Sequence, residues 1–345
     1  MKLSVAMITY NQEQFIGQAL ESVLAQKVNF DYEIIIGEDC STDRTRAVIL
    51  DFQRRYPERI VAVLRARNIG AIRNFAETIA LCHGQYLAIL EGDDYWICTN
   101  KVQRQVDFLD SHPDWAICCT RAEVKNEPGL HSGALRAQTG TVFPGRPEST
   151  RVDGQDLSGL IPTAPRAAGT YTLEDLLPEN FIPTCTVVYR WGRQPHFPSW
   201  ILRSTLGDLP RHAIVAGRKK IELLDDSTAV YRIHEGGAWS SRDRASQLLE
   251  SARMLARLNR HLGGHYTNIL GPIVARSYLH EAITARQRCS RAQAGQHLIS
   301  CIRNGGLRFG LSRRTFAGLA AYVLIGSRYR MFSKTKTAKG TSTST

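Results

Sequence analysis

Apolar runs of five or six residues alternate, through the first 120 positions, with stretches whose apolar residues recur every three or four. The runs 3–8, 32–37, 60–64, 86–90 and 116–120 have the length and composition of buried strands. Between the first two, Phe15, Ile16, Ala19, Leu20, Val23 and Leu24 form a helical stripe. Helices are predicted over 14–25, from about 43 to 56, from about 72 to 81 and over 101–111. Pro57 stops the second of them and Gly84 follows the third. Ser41 or Thr42 is expected to cap the second, with Asp43 in its first turn. Strands and helices alternating at this spacing predict a parallel sheet with helices on both faces.

The pattern then changes. Residues 125–170 are rich in Gly, Pro, Ser, Thr and Arg, and are expected to form a long, mostly mobile loop. Thr172 is placed to cap a short helix, and 183–189 is β-rich. A helix is predicted over 209–216, with Pro210 early in it, and two short strands over 220–224 and 229–233. From about 241 the chain reads as helical and Arg-rich, with one stripe at Leu248, Leu249, Ala252, Leu255, Ala256 and Leu262 and one or two more helices over 272–302. Residues 334–345 are small, polar and basic, and are expected to be disordered.

Charge sharpens this division. Residues 241–345 hold 18 Lys and Arg against 3 Asp and Glu, whereas residues 1–240 hold 26 against 29. The body is slightly acidic and the basic character belongs to the C-terminal third, which argues against nucleic acid as a partner of the body. Eight Cys are scattered without metal-ligand spacing, which favours a reducing compartment and a cytoplasmic location. The N-terminus reads directly into a strand rather than a signal peptide, and no run of about 18 apolar residues is present.

The chemistry concentrates where Leu87-Ala88-Ile89-Leu90 meets Glu91-Gly92-Asp93-Asp94. Three carboxylates at the carboxyl end of a strand stand where ligands bind in open α/β sheets. An all-oxygen set of this kind suits Mg²⁺ or Mn²⁺, which could in turn hold a diphosphate; the plain alternative is an acidic turn. Other polar clusters, at 9–11, 38–43 and 65–70, fall at the same edge. Neither GxGxxG nor GxxxxGK[ST] occurs.

Taken in order, Ser4-Val5-Ala6-Met7-Ile8-Thr9-Tyr10-Asn11, Ile35-Ile36-Gly37-Glu38-Asp39, Asn68-Ile69-Gly70 with Asn74, Glu91-Gly92-Asp93-Asp94, Leu206-Gly207-Asp208 and Tyr231-Arg232-Ile233-His234-Glu235-Gly236-Gly237 resemble the inverting family-2 glycosyltransferases of the GT-A fold. The resemblance covers roughly residues 3–240. It implies a GT-A-type nucleotide-binding mixed sheet flanked by helices, followed here by a C-terminal helical basic extension. The implied division is a nucleotide-sugar-binding half (1–120), an acceptor-side half (121–240), the extension (241–333) and a tail (334–345).

The resemblance also implies a nucleotide-diphosphate sugar donor with Mn²⁺ or Mg²⁺. Thr9, Tyr10, Asn11 and Asp39 match positions around the nucleotide, and a carboxylate at Asp39 can accept from a base N–H. Asn68 and Asn74 lie near the nucleotide in the family; here they read equally as turn and helix-cap residues. Asp93, Asp94 and His234 match the metal and diphosphate positions, and Asp208 the general base. Two positions depart from the family pattern: Glu91 stands where Asp is usual, and Gly207 where Glu is usual. Helix capping is the competing reading for Asp39 and Asp208, and a structural role for His234.

An enzyme of this kind would transfer a sugar to a glycan or lipid-linked acceptor. The alternatives are a nucleotidyltransferase on a related sheet, or a non-catalytic membrane-associated binding protein. Residues 307–332, where Arg308, Arg313, Arg314, Arg328 and Arg330 surround Phe316–Ile325, read as a basic amphipathic segment. Such a segment suits an anionic membrane surface at its inner face, and a helix packed on the body is the competing reading.

Overall fold

The computed structural model describes residues 1–127, 151–152, 155–156, 166–192, 197–204, 206–234, 244–288 and 290–304. Most of the expected loop and both basic C-terminal segments, 307–332 and 334–345, lie outside the described residues. The chain divides into two units, 1–269 and 270–345. The sheet and the candidate site belong to the first.

Strands β1 (Leu3–Thr9), β2 (Tyr32–Glu38), β3 (Ile60–Leu64) and β4 (Tyr86–Glu91) alternate with helices α1 (Ile16–Leu24), α2 (Thr45–Arg55) and α3 (Ala71–Ile79). The strands pair in parallel in the order β3-β2-β1-β4. Covering by helices leaves β2 buried along its whole length, apolar through Ile34–Ile36, with its buried Glu33 and Glu38 bonded to Ser4 and Arg46. The packing is close: a Cβ on Gly84 would lie 2.3 Å from the Ser4 amide nitrogen, and one on Gly37 2.1 Å from Thr78 Oγ1. Only glycine lets these segments approach. At the outer edge, the Ala62 N–H donates to Gln53 Oε1, blunting the open side of β3.

The second half completes the sheet with β5 (Tyr95–Trp96), α4 (Lys101–Ser111), β6 (Trp115–Asn126), a two-stranded ribbon of β7 (Arg151–Val152) and β8 (Gln155–Asp156), β9 (Gly169–Tyr171), α5 (Leu173–Leu176), β10 (Val188–Arg190), α6 (Asp208–Ala216) and β11 (Lys220–Ile233). Helices α7 (Arg244–His261), α8 (Thr267–Gln287) and α9 (Arg291–Arg303) follow. Thr172 forms a capping box with Asp175 at the start of α5, as its position predicts.

Three expectations are corrected. The fifth predicted strand, β6, does not join the parallel set directly. Antiparallel β10 lies between it and β4, with Val188 opposite both Ala88 and Cys118, so the sheet is mixed, as the resemblance implied, rather than parallel throughout, as the alternation alone suggested. The two short strands 220–224 and 229–233 are one strand, β11, parallel to β6 and irregular between Leu223 and Ala229. Leu224, Asp225 and Asp226 bulge out of register, and pairing with β6 resumes at Ser227. Finally, α2 begins at Thr45, where Asp43 Oδ1 accepts the Thr45 N–H, so Asp43 serves the helix start in place of Ser41 or Thr42.

Candidate active site

The carboxyl ends of β1 and β2 bring together the first group of expected residues. The Asp39 N–H donates to Thr9 C=O, tying the two ends at 3.0 Å. The Asp39 carboxylate is 2 % exposed and accepts the Ile69 and Gly70 N–H groups at 2.8 and 2.9 Å. It therefore clamps the loop entering α3, and each oxygen keeps one lone pair for a further donor. Asn68 supports the same turn, its Oδ1 accepting from Gly70 N–H at 3.0 Å. Asn11 adopts φ 52° and Cys40 φ 62°, two non-glycine residues in the left-handed region at facing loops. Asn11 is held there because its Oδ1 accepts the Thr42 N–H while its own N–H donates to Ser41 Oγ. Tyr10, 43 % exposed, projects from this loop.

Asn74, matched to a position near the nucleotide or read as a helix cap, lies within α3. It is fully buried on α3, donates to Gly37 C=O at 2.7 Å and accepts from Arg65 Nε at 3.1 Å. Its amide supports the floor of the site. Arg65, which the sequence reading missed, is ion-paired to Glu77 at 2.8 Å and leaves its buried Nη2 without a partner beside this loop.

The acidic motif begins at the end of β4. Gly92 bonds back to Ile8 C=O at 3.0 Å, and a Cβ there would meet Gln12 Oε1 at 2.6 Å and Thr9 at 2.8 Å. The motif thus packs directly on the β1 loop. Asp93 Oδ2 lies 2.9 Å from His234 Nε2, joining the acidic turn to the end of β11, and the imidazole rests 4.9 Å from the Phe15 ring.

Asp94, expected as a metal ligand, is turned the other way. Its carboxylate is 1 % exposed, and Oδ1 accepts the Arg232 N–H at 2.8 Å. Burial, reinforced by the Asp93 and Glu91 charges, holds its carboxyl well above the usual range.

Asp208 opens α6 and makes no hydrogen bond to the helix amides; its Oδ2 accepts from Asn180 Nδ2 at 2.8 Å. Glu91 links it to the acidic motif. Burial pushes the Glu91 carboxyl up to about 7, with Arg211 drawing it down and Asp93 and Asp208 adding to the rise. Asp93 and Asp208, 115 positions apart in the sequence, therefore both act on one buried group.

Arg211 was not foreseen. It is buried one turn after Asp208, its guanidinium 4.0 Å above the Phe75 ring, and a Cβ on Gly207 would come within 3.4 Å of its Nη1. The missing side chain at Gly207 makes room for Ile72, whose Cδ1 would lie 2.8 Å from a Cβ there. The spacing of three between Asp208 and Arg211 was the available signal.

Against this geometry, comparison with known proteins is decisive. The family described as Glycosyl transferase family 2 matches residues 4–168. The chain carries a family 2 glycosyltransferase domain. The uncharacterized protein Rv1520 of Mycobacterium tuberculosis is 36% identical over 239 residues, 69% of this chain and 61% of that protein. The chain therefore spans about 61% of the length of that relative. Among solved structures, S. aureus TarS 1-349 in complex with UDP-GlcNAc superposes with a TM-score of 0.59 at 16% identity, covering 94% of this chain and 88% of that one. The mannosyltransferase PcManGT from Pyrobaculum calidifontis, in complex with GDP-Man and Mn2+, gives 0.50 at 13% identity, with 95% and 81% covered. These two likenesses establish the GT-A fold of the family 2 domain.

Among the described residues, no three carboxylate, imidazole or thiol groups gather to cage a metal. The Asp93–His234 pair still fits one. Mg²⁺ and Mn²⁺ are commonly held by one or two protein ligands, with substrate phosphates and water completing the shell. The charge of Glu91 adds a testable pH dependence. Its raised pKa means the folded protein holds this proton more tightly than the unfolded chain, whose value is near the ordinary 4.5. That contribution is full below about pH 4.5 and lost as pH rises through about 7. Glu91→Gln is expected to flatten the decline, so denaturant titrations of the variant and parent should diverge in the variant's favour from pH 5 to 8.

Proposed function

We propose that the protein is a metal-dependent glycosyltransferase that moves a sugar from a nucleotide-diphosphate donor to an acceptor hydroxyl with inversion, in the assembly of a surface polysaccharide or other glycan. The observation that carries this reading is the placement of Asp93–His234 and Asp208 about Glu91, at the same sheet edge where Asp39 and Asn11 line the β1 and β2 loops. A nucleotide sugar was present in both solved neighbours named above, and Mn2+ in one of them, which supports the donor class.

In this mechanism the base docks between Tyr10 and the Asp39 loop, where a free lone pair of Asp39 accepts a base N–H. Asp93 and His234 would hold the divalent cation, which would supply neutralisation of the charge gathering on the departing diphosphate. The anomeric carbon passes through an oxocarbenium-like state, and the acceptor hydroxyl attacks from the opposite face. Asp208 takes the hydroxyl proton. The Asn180 N–H on Oδ2 fixes the carboxylate and leaves Oδ1 for that proton. One displacement inverts configuration without an enzyme nucleophile.

The test is incubation with a panel of UDP- and GDP-sugars, with and without Mn²⁺ or Mg²⁺, reading released nucleoside diphosphate. Metal-dependent hydrolysis of at least one donor is expected. A nucleotidyltransferase would instead release pyrophosphate from a nucleoside triphosphate and a sugar phosphate, and a binding protein would retain ligand without turnover.

The acceptor in this reading is a glycan or lipid-linked sugar at a membrane. No helix among the described residues is long and apolar enough to cross a bilayer. The basic segment 307–332 supplies a surface attachment, its Arg residues favouring anionic lipid and Phe316–Ile325 the interface. The full-length chain should therefore sediment with anionic liposomes at low salt and be released at high salt; protein left in the supernatant at low salt contradicts the attachment.

A further inference from the structure

Arg232 is 4 % exposed, yet every part of its side chain is engaged. Its Nη1 donates to Asp93 C=O, its Nη2 to Gln18 Oε1 on α1, and its Nε to Glu127 Oε1 at 2.9 Å. The guanidinium lies 4.4 Å from the Tyr95 ring centroid and 5.0 Å from that of Phe15. Its backbone N–H donates to Asp94 Oδ1 at 2.8 Å. The acidic turn accepts twice from one residue of β11, once from its side chain and once from its backbone. Two positions further along β11, His234 meets Asp93.

We propose that Arg232 and Asp94 form a buried clasp that sets the spacing and orientation of the Asp93–His234 pair, so that both are positioning residues for the cation and neither touches it. The inference rests on the functional reading above, and assigns the third carboxylate of the motif to the clasp rather than to the ion. Only a planar fork can serve Asp93 C=O, Gln18 and Glu127 together while lying against two rings, so Lys cannot replace Arg232. β5 pairs with β11 at Ala229 and Val230, and the clasp carries that link on to the Asp93–His234 pair. Partners of this kind behind a metal site commonly cost about 10- to 100-fold in metal affinity when lost.

The experiment is calorimetry of UDP and GDP with and without Mn²⁺ on the full chain, alongside melting temperature. Arg232→Lys and Asp94→Ala are each expected to lose about 10- to 100-fold of the Mn²⁺-dependent gain in nucleotide affinity while keeping metal-free nucleotide binding. Asp94→Asn, whose amide oxygen can still accept the Arg232 N–H, should recover most of the gain. Gln18→Leu removes one contact from outside the motif and should give a smaller loss in the same quantity; it serves if the Arg232 variant fails to fold. A full Mn²⁺-dependent gain in Arg232→Lys, or in Gln18→Leu if that variant must stand in for it, overturns the clasp. An Asp94→Asn variant that loses the gain as completely as Asp93→Asn at an unchanged melting temperature overturns it too, by making Asp94 a ligand. A parent protein whose nucleotide binding ignores Mn²⁺ fails the functional reading instead, before any variant is compared.

Discussion

Asp208→Asn is expected to lose sugar transfer by a factor on the order of 10² to 10⁴, the usual loss on removing a general base, while still binding donor and metal. The structure separates this from the capping alternative. A capping side chain would bond an amide of its own first turn and be worth about 1 kcal/mol. Asp208 makes no such bond, and its carboxylate is instead held by Asn180 from another segment. The Asn variant keeps the shape and loses the proton acceptor. Its melting temperature should stay near that of the parent, with turnover, followed as product formed on acceptor, nearly gone. A variant that melts lower yet transfers at close to the parent rate would remove Asp208 from the mechanism. Asn180→Ala supplies an internal check, since it frees the carboxylate without removing it and should cost less.

Asp93→Asn should abolish metal-dependent donor binding. Asp93 is the one carboxylate of the Glu91–Asp94 motif that meets His234, and an amide oxygen is a poor substitute for a charged ligand to a hard cation. Calorimetry with UDP or GDP and Mn²⁺ should show the metal-dependent gain vanish while the fold persists. Chelation of the parent with excess EDTA should reproduce the same loss and be reversed by added Mn²⁺. Undiminished binding in Asp93→Asn would sink the metal assignment. The contrast with Asp94→Asn separates the two neighbours, because the Asp94 carboxyl is buried against Arg232 rather than turned toward His234.

Much of this fold was legible in the sequence because it rests on local periodicity. Strands 60–64 and 86–90 and helix 101–111 were read to within a residue. A buried strand is mostly apolar and a packed helix must repeat its apolar face, whatever lies beyond them. The cluster of polar loops at one sheet edge was legible for the same reason: parallel strands deliver all their carboxyl ends to that edge. The departures at Glu91 and Gly207 were also visible, though not that the bare Gly207 backbone lets Ile72 pack against it.

What the tertiary structure alone decided are pairings between distant segments. No local pattern says that β10 lies between β4 and β6, because the pairing of three residues is chosen by the strands on either side. No pattern says that Asp94 meets the backbone of Arg232, 138 positions away, while Asp93 meets His234. The same holds for Asn180 at Asp208 and for Asn74 beneath the floor. Residue type and periodicity state what each group can do. Which of its capacities is used depends on the partner that burial leaves within reach, and in this chain that partner is supplied by folding.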